Sequence, residues 1–266
     1  MRPEFYITHL YPKEMNIYGD WGNIISLQYR LERYGFQVVY QAVGLDQKLP
    51  NKTDLYFIGG GQDKEQILIF NDLIRKKEKL IDDVEDGVCL LAICGGYQLL
   101  GQSFLTGEGQ IVDGIGIFDV ETKALDSAVS SRCIGNLVIR SMVNGLEDVT
   151  LVGFENHSGQ TEFLSMEKSK PMGKTLIGFG NNSSAKYEGC YYKNSFGTYM
   201  HGSFLPKNPE FADHLIFQAV RRKAEKSEIH PQVYLDSIKN QIDDSIAIKT
   251  KQALIERFSK ELKNKS

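Results

Sequence analysis

The first third of the chain alternates between short apolar runs and longer segments with helical spacing. Runs of strand length occupy residues 5–10, 37–40, 54–58 and 88–93. Between them, apolar residues recur at helical intervals over 24–34 and 63–84, which predicts two helices. The run at 88–93 is apolar throughout, as is typical of a strand buried on both faces. This order predicts an α/β fold, with a mostly parallel central sheet flanked by helices.

The pattern changes after about residue 114. From Gly114 to Gly202 the apolar runs are short and lie between polar turns, which predicts an antiparallel extension of the sheet. After Pro206 the spacing is helical, and the lysine-rich stretch from Lys249 predicts a solvated helix that frays. Because no repeat or low-complexity linker interrupts the chain, we expect one domain over 1–266, with a helical C-terminal extension over about 207–266.

Composition and charge narrow the function classes. The net charge of -3 over 266 residues is too small to indicate nucleic acid or a membrane surface as the partner. No apolar run approaches the ~20 residues that span a bilayer. The first residues also have no apolar core of a signal peptide. These features predict a cytoplasmic protein without a membrane anchor.

The four cysteines form neither a CxxC pair nor a metal-ligand spacing with the histidines, so we expect no metal site. Lone cysteines in apolar strands are mostly inert core residues. We therefore interpret Cys89, Cys133 and Cys190 as buried thiols, and Cys94 as the candidate for reactivity.

Cys94 follows a buried strand and precedes Gly95, Gly96 and a helix that includes Gln98. A sharp strand-to-helix turn of this kind exposes a nucleophile at the end of a sheet, and glycines relieve the crowding of its backbone. The helix N-terminus would stabilise a thiolate. A tight turn around an inert thiol is the alternative, but the small residues that follow the sulfur favour the nucleophile.

A nucleophilic thiolate needs a base and donors for the oxyanion. Candidate donors are the N–H of Gly95 and one N–H of the turn at 59–61, which ends a neighbouring predicted strand. His201, followed by Gly202, is the best candidate base, and His157 is the second choice. The other histidines are predicted to be structural, solvent-facing or in a loop: His9, His214 and His230.

These residues occur in the order that is found in class I glutamine amidotransferases, which the chain resembles. His201 is followed by Gly202 and not by the Pro-Glu of many class I amidotransferases. In this respect the chain resembles the branch of the family that is related to cobyric acid synthase. More specifically, the chain resembles the GatD family, the glutaminase subunits of lipid II isoglutaminyl synthases. The stretches that carry this resemblance are residues 16–24, 57–66, 153–159 and 197–202.

The resemblance implies a reaction and a set of site residues. The Cys94 thiolate would attack the side-chain amide of glutamine, His201 would transfer the proton to ammonia, and water would hydrolyse the thioester. The implied oxyanion donors are Gly60, Gly61 and Gly95. Arg132 matches an arginine that holds glutamine, and a guanidinium suits its α-carboxylate. The remaining predicted substrate-binding residues are Gln98, Asn156 and His157.

Two positions depart from the wider family. Ala92 stands where many relatives have glycine, which is a mild change. Ser203 stands where many relatives have the acid that orients the histidine. Either another carboxylate of this chain serves, or a partner subunit supplies one. The second alternative predicts that the isolated chain hydrolyses glutamine slowly.

No segment of the chain has a complete ATP-binding motif. Residues 173–175 match the end of a P-loop, but Lys168 stands where its first glycine is required. We therefore expect no cofactor in this chain, and ATP on a separate partner. The resemblance implies a Mur-ligase-like synthetase of the MurT type, which forms a heterodimer and amidates D-glutamate of lipid II to D-isoglutamine in peptidoglycan biosynthesis.

Other functions stay open at this point. The ammonia could serve another acceptor, such as a corrinoid carboxylate. The chain could also be a non-catalytic scaffold, although the presence of both Cys94 and His201 argues against this. A cysteine hydrolase of similar fold is a further alternative, but Arg132 and the Asn156–His157 segment suit glutamine better. If lipid II is the acceptor, the complex would work at the inner face of the membrane through its partner.

Overall fold

The computed structural model describes residues 2–105, 109–124, 132–184, 186–226 and 242–263. Six strands form the central sheet, and with strands numbered in chain order their spatial order is β13 (Cys190–Tyr192), β14 (Ser195–Thr198), β4 (Cys89–Ile93), β3 (Leu55–Ile58), β1 (Glu4–Leu10) and β2 (Gln37–Val43). Neighbouring strands run parallel except β13, which is antiparallel to β14. The predicted α/β architecture is thus confirmed.

Helices connect and cover this sheet. They are α1 (Trp21–Arg33), α2 (Asp63–Glu85), α3 (Gly95–Leu99), α4 (Phe204–Lys207), α5 (Pro209–Lys226) and α6 (Ser245–Lys263). α1 begins three residues before the predicted start, and it buries Ile24, Leu27 and Leu31 as its spacing predicts. α1 packs against α4 and α5, whereas α2 packs against α3. α1, α2 and α3 each follow a strand of the central sheet directly, so all three helices begin near its carboxyl edge.

The region after α3 forms two further sheets. One has the order β10 (Gly159–Phe163), β7 (Val120–Ala124), β5 (Ser103–Leu105) and β6 (Ile111–Asp113). The other has the order β12 (Tyr187–Glu188), β11 (Gly173–Ile177), β8 (Cys133–Ser141) and β9 (Thr150–His157). Pairing in both is antiparallel apart from β5 with β7.

The predicted extension over Gly114–Gly202 is therefore correct in kind and wrong in its limits. It begins at residue 103, and β14, which lies inside the predicted range, returns to the central sheet beside β4. β14 is buried along its length, so its packing in the centre prevails over its short sequence pattern. This return matters because β14 leads directly into His201.

The C-terminal helices are more tightly packed than the sequence indicated. α6 places Phe258 against Val138 and Val152, and Lys251, although charged, is buried beside Glu210 at 2.6 Å. The other described side chains of α6 are exposed or half-buried, so the predicted solvated face is present beside this narrow buried stripe, and the fraying stays a prediction. Within the described residues, no helix is both long and apolar enough to cross a bilayer. The single domain over residues 1–266 stays a prediction.

Candidate active site

Cys94 lies at the strained turn that the sequence predicts. Its backbone has φ +48° and ψ -105°, between the end of β4 and the first residue of α3. The Cys94 N–H donates to the carbonyl of Thr198 at 2.8 Å, and its own carbonyl accepts the N–H of Gln98 at 3.0 Å. A non-glycine residue in such a conformation costs about 1–3 kcal/mol and is typical of functional sites. Packing of two strands and a helix thus holds the thiol at the carboxyl edge of the sheet.

The two glycine turns lie in direct contact, as predicted from neighbouring strands. A Cβ on Gly95 would lie 2.7 Å from the carbonyl oxygen of Gly61 and 3.0 Å from its nitrogen. A Cβ on Gly96 would lie 2.8 Å from the carbonyl oxygen of Gly59. Side chains at these positions would separate the turns. The glycines therefore allow two backbones to approach beside the Cys94 thiol.

His201 lies just beyond the end of β14. Its backbone pairs with Phe154 through N–H···O bonds of 2.7 and 3.3 Å, so β9 fixes its position. The imidazole is fully buried, and the ring of Tyr18 contacts it edge-on at 4.9 Å between centroids. No described protein atom accepts a hydrogen bond from its Nε2. That nitrogen is therefore the one available to the thiol and to a substrate.

A carboxylate that the sequence interpretation missed faces the other ring nitrogen. Asp20 Oδ1 lies 3.4 Å from His201 Nδ1, and both side chains are fully buried. Ser203, at the position of the acid in many relatives, instead donates to the carbonyl of Gly19 at 2.6 Å. It thus fixes the loop that carries Asp20. Of the two alternatives for the missing acid, the geometry favours a carboxylate of this chain.

The second oxygen of Asp20 changes the set of oxyanion donors. Asp20 Oδ2 accepts the N–H of Gly60 at 2.7 Å. Because that donor is occupied, Gly60 is not free to bind an oxyanion in this conformation, contrary to the expectation from the family resemblance. The N–H groups of Gly61 and Gly95 lie on the adjoining turns and have no such partner among the described residues.

The charges around His201 favour its protonated form. Burial lowers the pKa of His201, but the negative charges of Cys94 and Asp20 and the hydrogen bond to Asp20 outweigh this effect and raise it to about 10. The imidazole of His201 is therefore held as an imidazolium, which can give its proton to a leaving group.

The other cysteines and histidines do not form a comparable site. Cys89, Cys133 and Cys190 are buried as predicted, and burial raises their pKa values, which favours the protonated thiol. Burial lowers the pKa values of His9 and His214 to about 4, so both are neutral. His230 lies outside the described residues.

A cavity of about 590 Å³ opens onto Cys94. The predicted site residues on its wall are Gly61, Cys94, Gln98, Arg132, Asn156 and His157. Asn156 lies between two side chains at the mouth: Arg132 Nε donates to its Oδ1 at 3.2 Å, and its Nδ2 donates to the Tyr18 hydroxyl at 2.7 Å. Arg132 is exposed there, so its guanidinium can donate hydrogen bonds to a carboxylate that enters the cavity.

His157 is not placed to act as a base. It ends strand β9, stacks on the ring of Tyr199 at 3.7 Å, and its Nδ1 lies 2.8 Å from the carbonyl oxygen of Gly159. Glu155 lies 3.6 Å from its Nε2. The Asn156–His157 segment is thus the end of a strand. Residues 173–175 likewise lie within β11, paired on both sides, and not in a loop before a helix.

The site geometry can be compared with known proteins. Residues 6–209 match the CobB/CobQ-like glutamine amidotransferase domain. The chain is 36% identical over 263 residues to the lipid II isoglutaminyl synthase (glutamine-hydrolyzing) subunit GatD of Staphylococcus aureus, covering 98% of this chain and 99% of the relative. The chain belongs to the GatD group of the CobB/CobQ-like glutamine amidotransferases. It is therefore an enzyme of the glutamine-hydrolysing amidotransferase class, as predicted.

Other relatives agree with this assignment. The GatD subunit of Streptococcus pneumoniae is 42% identical over 218 residues, 82% of this chain and 81% of the relative. A probable cobyric acid synthase of Methanocaldococcus jannaschii is 31% identical over 175 residues, but these are 33% of its own length. A crystal structure described as a glutamine amidotransferase superposes with a TM-score of 0.52 at 12% identity, covering 80% of this chain and 98% of the other. The class I amidotransferase-like fold is thus confirmed.

Proposed function

We propose that this GatD-group chain is the glutaminase subunit of a lipid II isoglutaminyl synthase. The observation that carries the glutaminase part is the Cys94 thiol on the wall of a cavity that Arg132 also lines, together with a His201 imidazole whose positive charge Cys94 and Asp20 both stabilise. A thiolate, a protonated imidazole and a guanidinium together suit the hydrolysis of a carboxamide in an amino acid.

The residues divide the reaction between them. The Cys94 thiolate attacks the Cδ atom of glutamine, and the N–H groups of Gly61 and Gly95 bind the oxyanion. His201 Nε2 gives its proton to the leaving nitrogen, so ammonia departs and a thioester remains. His201 then takes a proton from water, which attacks the thioester and releases glutamate and the thiolate. Asp20 holds the imidazole through Nδ1 during both proton transfers.

The acceptor proposal rests on the extent of the sequence similarity. Both GatD relatives match over at least 81% of their length, whereas the cobyric acid synthase matches over 33%. This difference favours lipid II over a corrinoid as the amidated molecule. The relatives are named as subunits, which supports a partner that consumes the ammonia. We propose that this partner is an ATP-dependent, Mur-ligase-like synthetase, and that the pair works at the inner membrane face where lipid II is exposed.

The glutaminase part is tested by glutamate formation from glutamine, with and without a Mur-ligase-like synthetase as the proposed partner. Cys94→Ala should abolish hydrolysis, because no other thiol lines the cavity among the described residues. Cys133→Ala is the matched control, since Cys133 is also buried near the site but keeps its proton. Equal hydrolysis by Cys94→Ala and wild type would remove the nucleophile assignment.

The acceptor part needs the assembled pair, ATP, glutamine and either lipid II or a corrinoid with free carboxylates. Mass spectrometry of the acceptor should detect replacement of a hydroxyl by an amine on lipid II, dependent on Cys94. Amidation of the corrinoid instead would overturn the lipid II proposal and leave the glutaminase intact. Amidation of lipid II with free ammonium but not with glutamine would show that this chain does not supply the nitrogen.

A further inference from the structure

A buried chain of hydrogen bonds runs along the cavity wall behind Cys94. Gln66 Nε2 donates to the carbonyl of Gly95 at 3.1 Å and to Oε1 of Gln98 at 2.8 Å. Gln98 Nε2 donates to the hydroxyl of Tyr199 at 3.2 Å, and that hydroxyl lies 2.6 Å from Oγ1 of Thr161. Gln66 is 1% exposed and comes from the start of α2, so it crosses between α2 and α3.

The direction of this chain is fixed at one end. A backbone carbonyl can only accept, so the end of the Gln66 carboxamide that faces Gly95 must be the NH2 group. The same NH2 group meets Gln98, which must therefore present its oxygen. The NH2 group of Gln98 then points to Tyr199. The orientation of Gln98, which is ambiguous for an isolated glutamine, thus follows from the Gly95 carbonyl.

The orientation of Gln98 matters because the described lining of the cavity has no anionic side chain that could bind a substrate ammonium group. Among the described residues that line the cavity, none carries a carboxylate, whereas Lys64 and Arg132 are cationic. An amino acid substrate brings an ammonium group with three donors, and these need neutral acceptors. The Gln98 oxygen, which accepts one bond from Gln66, has a second lone pair to offer. A reversed carboxamide would face the ammonium with donors and repel it.

We propose that Gln66 is a positioning residue that turns the Gln98 oxygen toward the substrate and so makes the site selective for an α-ammonium group. This inference rests on the proposed glutaminase function. Loss of Gln66 frees Gln98 to reverse, and selectivity for the ammonium falls. Catalysis on a substrate that lacks this group is spared, because Gln66 touches neither the thiol nor the imidazole in the network described.

The test compares L-glutamine with 5-amino-5-oxopentanoate, which is glutamine without its α-amino group. Binding of each is measured by calorimetry on Cys94→Ala protein, and kcat/KM is measured on protein that keeps Cys94. Gln66→Met removes the donor at nearly constant volume. Gln62→Met is the matched control, since Gln62 lines the same cavity but is exposed and makes no side-chain cap bond.

We expect the preference for glutamine to fall about tenfold or more in Gln66→Met, as for a lost hydrogen bond to a charged group. The amine-free analogue and the Gln62→Met control should change less than about threefold. Equal weakening of both ligands would mean a merely structural role and would overturn the proposal, as would an unchanged ratio. If Gln66→Met fails to fold, Gln98→Met removes the proposed acceptor itself and must lower the same ratio. Wild type that neither binds nor hydrolyses glutamine would refute the proposed function instead.

Discussion

Replacement of Asp20 by asparagine isolates the contribution of its charge to His201. Asparagine keeps the size of the side chain but has only one oxygen. Asp20 uses one oxygen for the N–H of Gly60 and the other for His201. The asparagine oxygen can accept the N–H of Gly60, as Asp20 Oδ2 does at 2.7 Å. The NH2 group then faces the protonated Nδ1 of His201, where two donors oppose each other. We therefore expect Asp20→Asn to disfavour the imidazolium and to loosen its orientation.

The distance sets the size of this effect. Two unit charges 3.4 Å apart, as between Asp20 and His201, interact by about 5 kcal/mol at an effective dielectric constant of about 20. At about 1.4 kcal/mol per pKa unit, loss of this interaction should lower the pKa of His201, which is about 10, by roughly 3 units in the variant. Loss of orientation should lower kcat/KM by roughly 10²–10⁴-fold.

The assay is a pH profile of glutamate formation, measured by chromatography so that detection does not depend on pH. Activity needs the imidazolium as the acid, so it is present below the pKa of His201 and lost above it. The basic limb should lie near pH 10 in wild type and at about pH 7 in Asp20→Asn. Ser203→Ala is the control, since it removes the bond to Gly19 that fixes the loop without changing the charge.

A basic limb that stays in place, together with unchanged kcat/KM, would refute the role of Asp20. The partner subunit offers a second comparison. If its addition restores full activity to Asp20→Asn, the orienting acid comes from the partner in the complex, which was the other alternative from the sequence. If the isolated wild-type chain is as active as the complex, this chain already has all the groups that the hydrolysis needs.

Two further predictions concern the mouth of the cavity and the core behind it. Arg132→Lys should raise KM for glutamine about tenfold with little change in kcat, because lysine cannot form the bidentate bond to a carboxylate; Arg140→Lys, in an exposed pair 3.9 Å from Asp148, should change neither parameter. Burial raises the pKa of Glu188 from 4.5 to about 7, so the folded protein keeps a proton that the unfolded chain releases. Its free energy of unfolding should fall by about 3 kcal/mol as pH rises from 4.5 to 7, and Glu188→Gln should lack this fall in urea unfolding. Parallel pH dependences of the two proteins would contradict the assignment.

The central sheet and the position of Cys94 could be predicted because local sequence determines both. A continuous apolar run at residues 88–93 can only be buried on both faces, and the glycines that follow allow the turn at Cys94. Contact between the turns at Gly61 and Gly95 followed from the parallel order of their strands. The fold of the chain after α3 was less predictable, because tertiary packing decides which strands pair when the strands are short, as for β14 beside β4.

Asp20 was missed because its partner is distant in sequence and its own segment has no periodic pattern. It lies 181 residues from His201, in a loop before α1, where a carboxylate is more often a helix cap or a solvated residue. Here its side chain makes no capping bond. The available signal was the stretch at residues 16–24, which carried part of the family resemblance, together with Ser203 in place of an acid. These two observations indicate that a carboxylate is needed near His201, but not which one.

The two oxygens of Asp20 link the base to the glycine turn. One faces His201 and the other holds the N–H of Gly60, while a Cβ at Gly60 would lie 2.7 Å from His201 Cε1. If Gly60 turned its N–H toward an oxyanion, the buried Oδ2 would lose its donor at a cost of about 1–3 kcal/mol. A substrate would have to offset that cost before Gly60 could join Gly61 and Gly95 as a donor. Any movement of this turn therefore also changes the hydrogen bonding of Asp20 and, through it, the charge on His201.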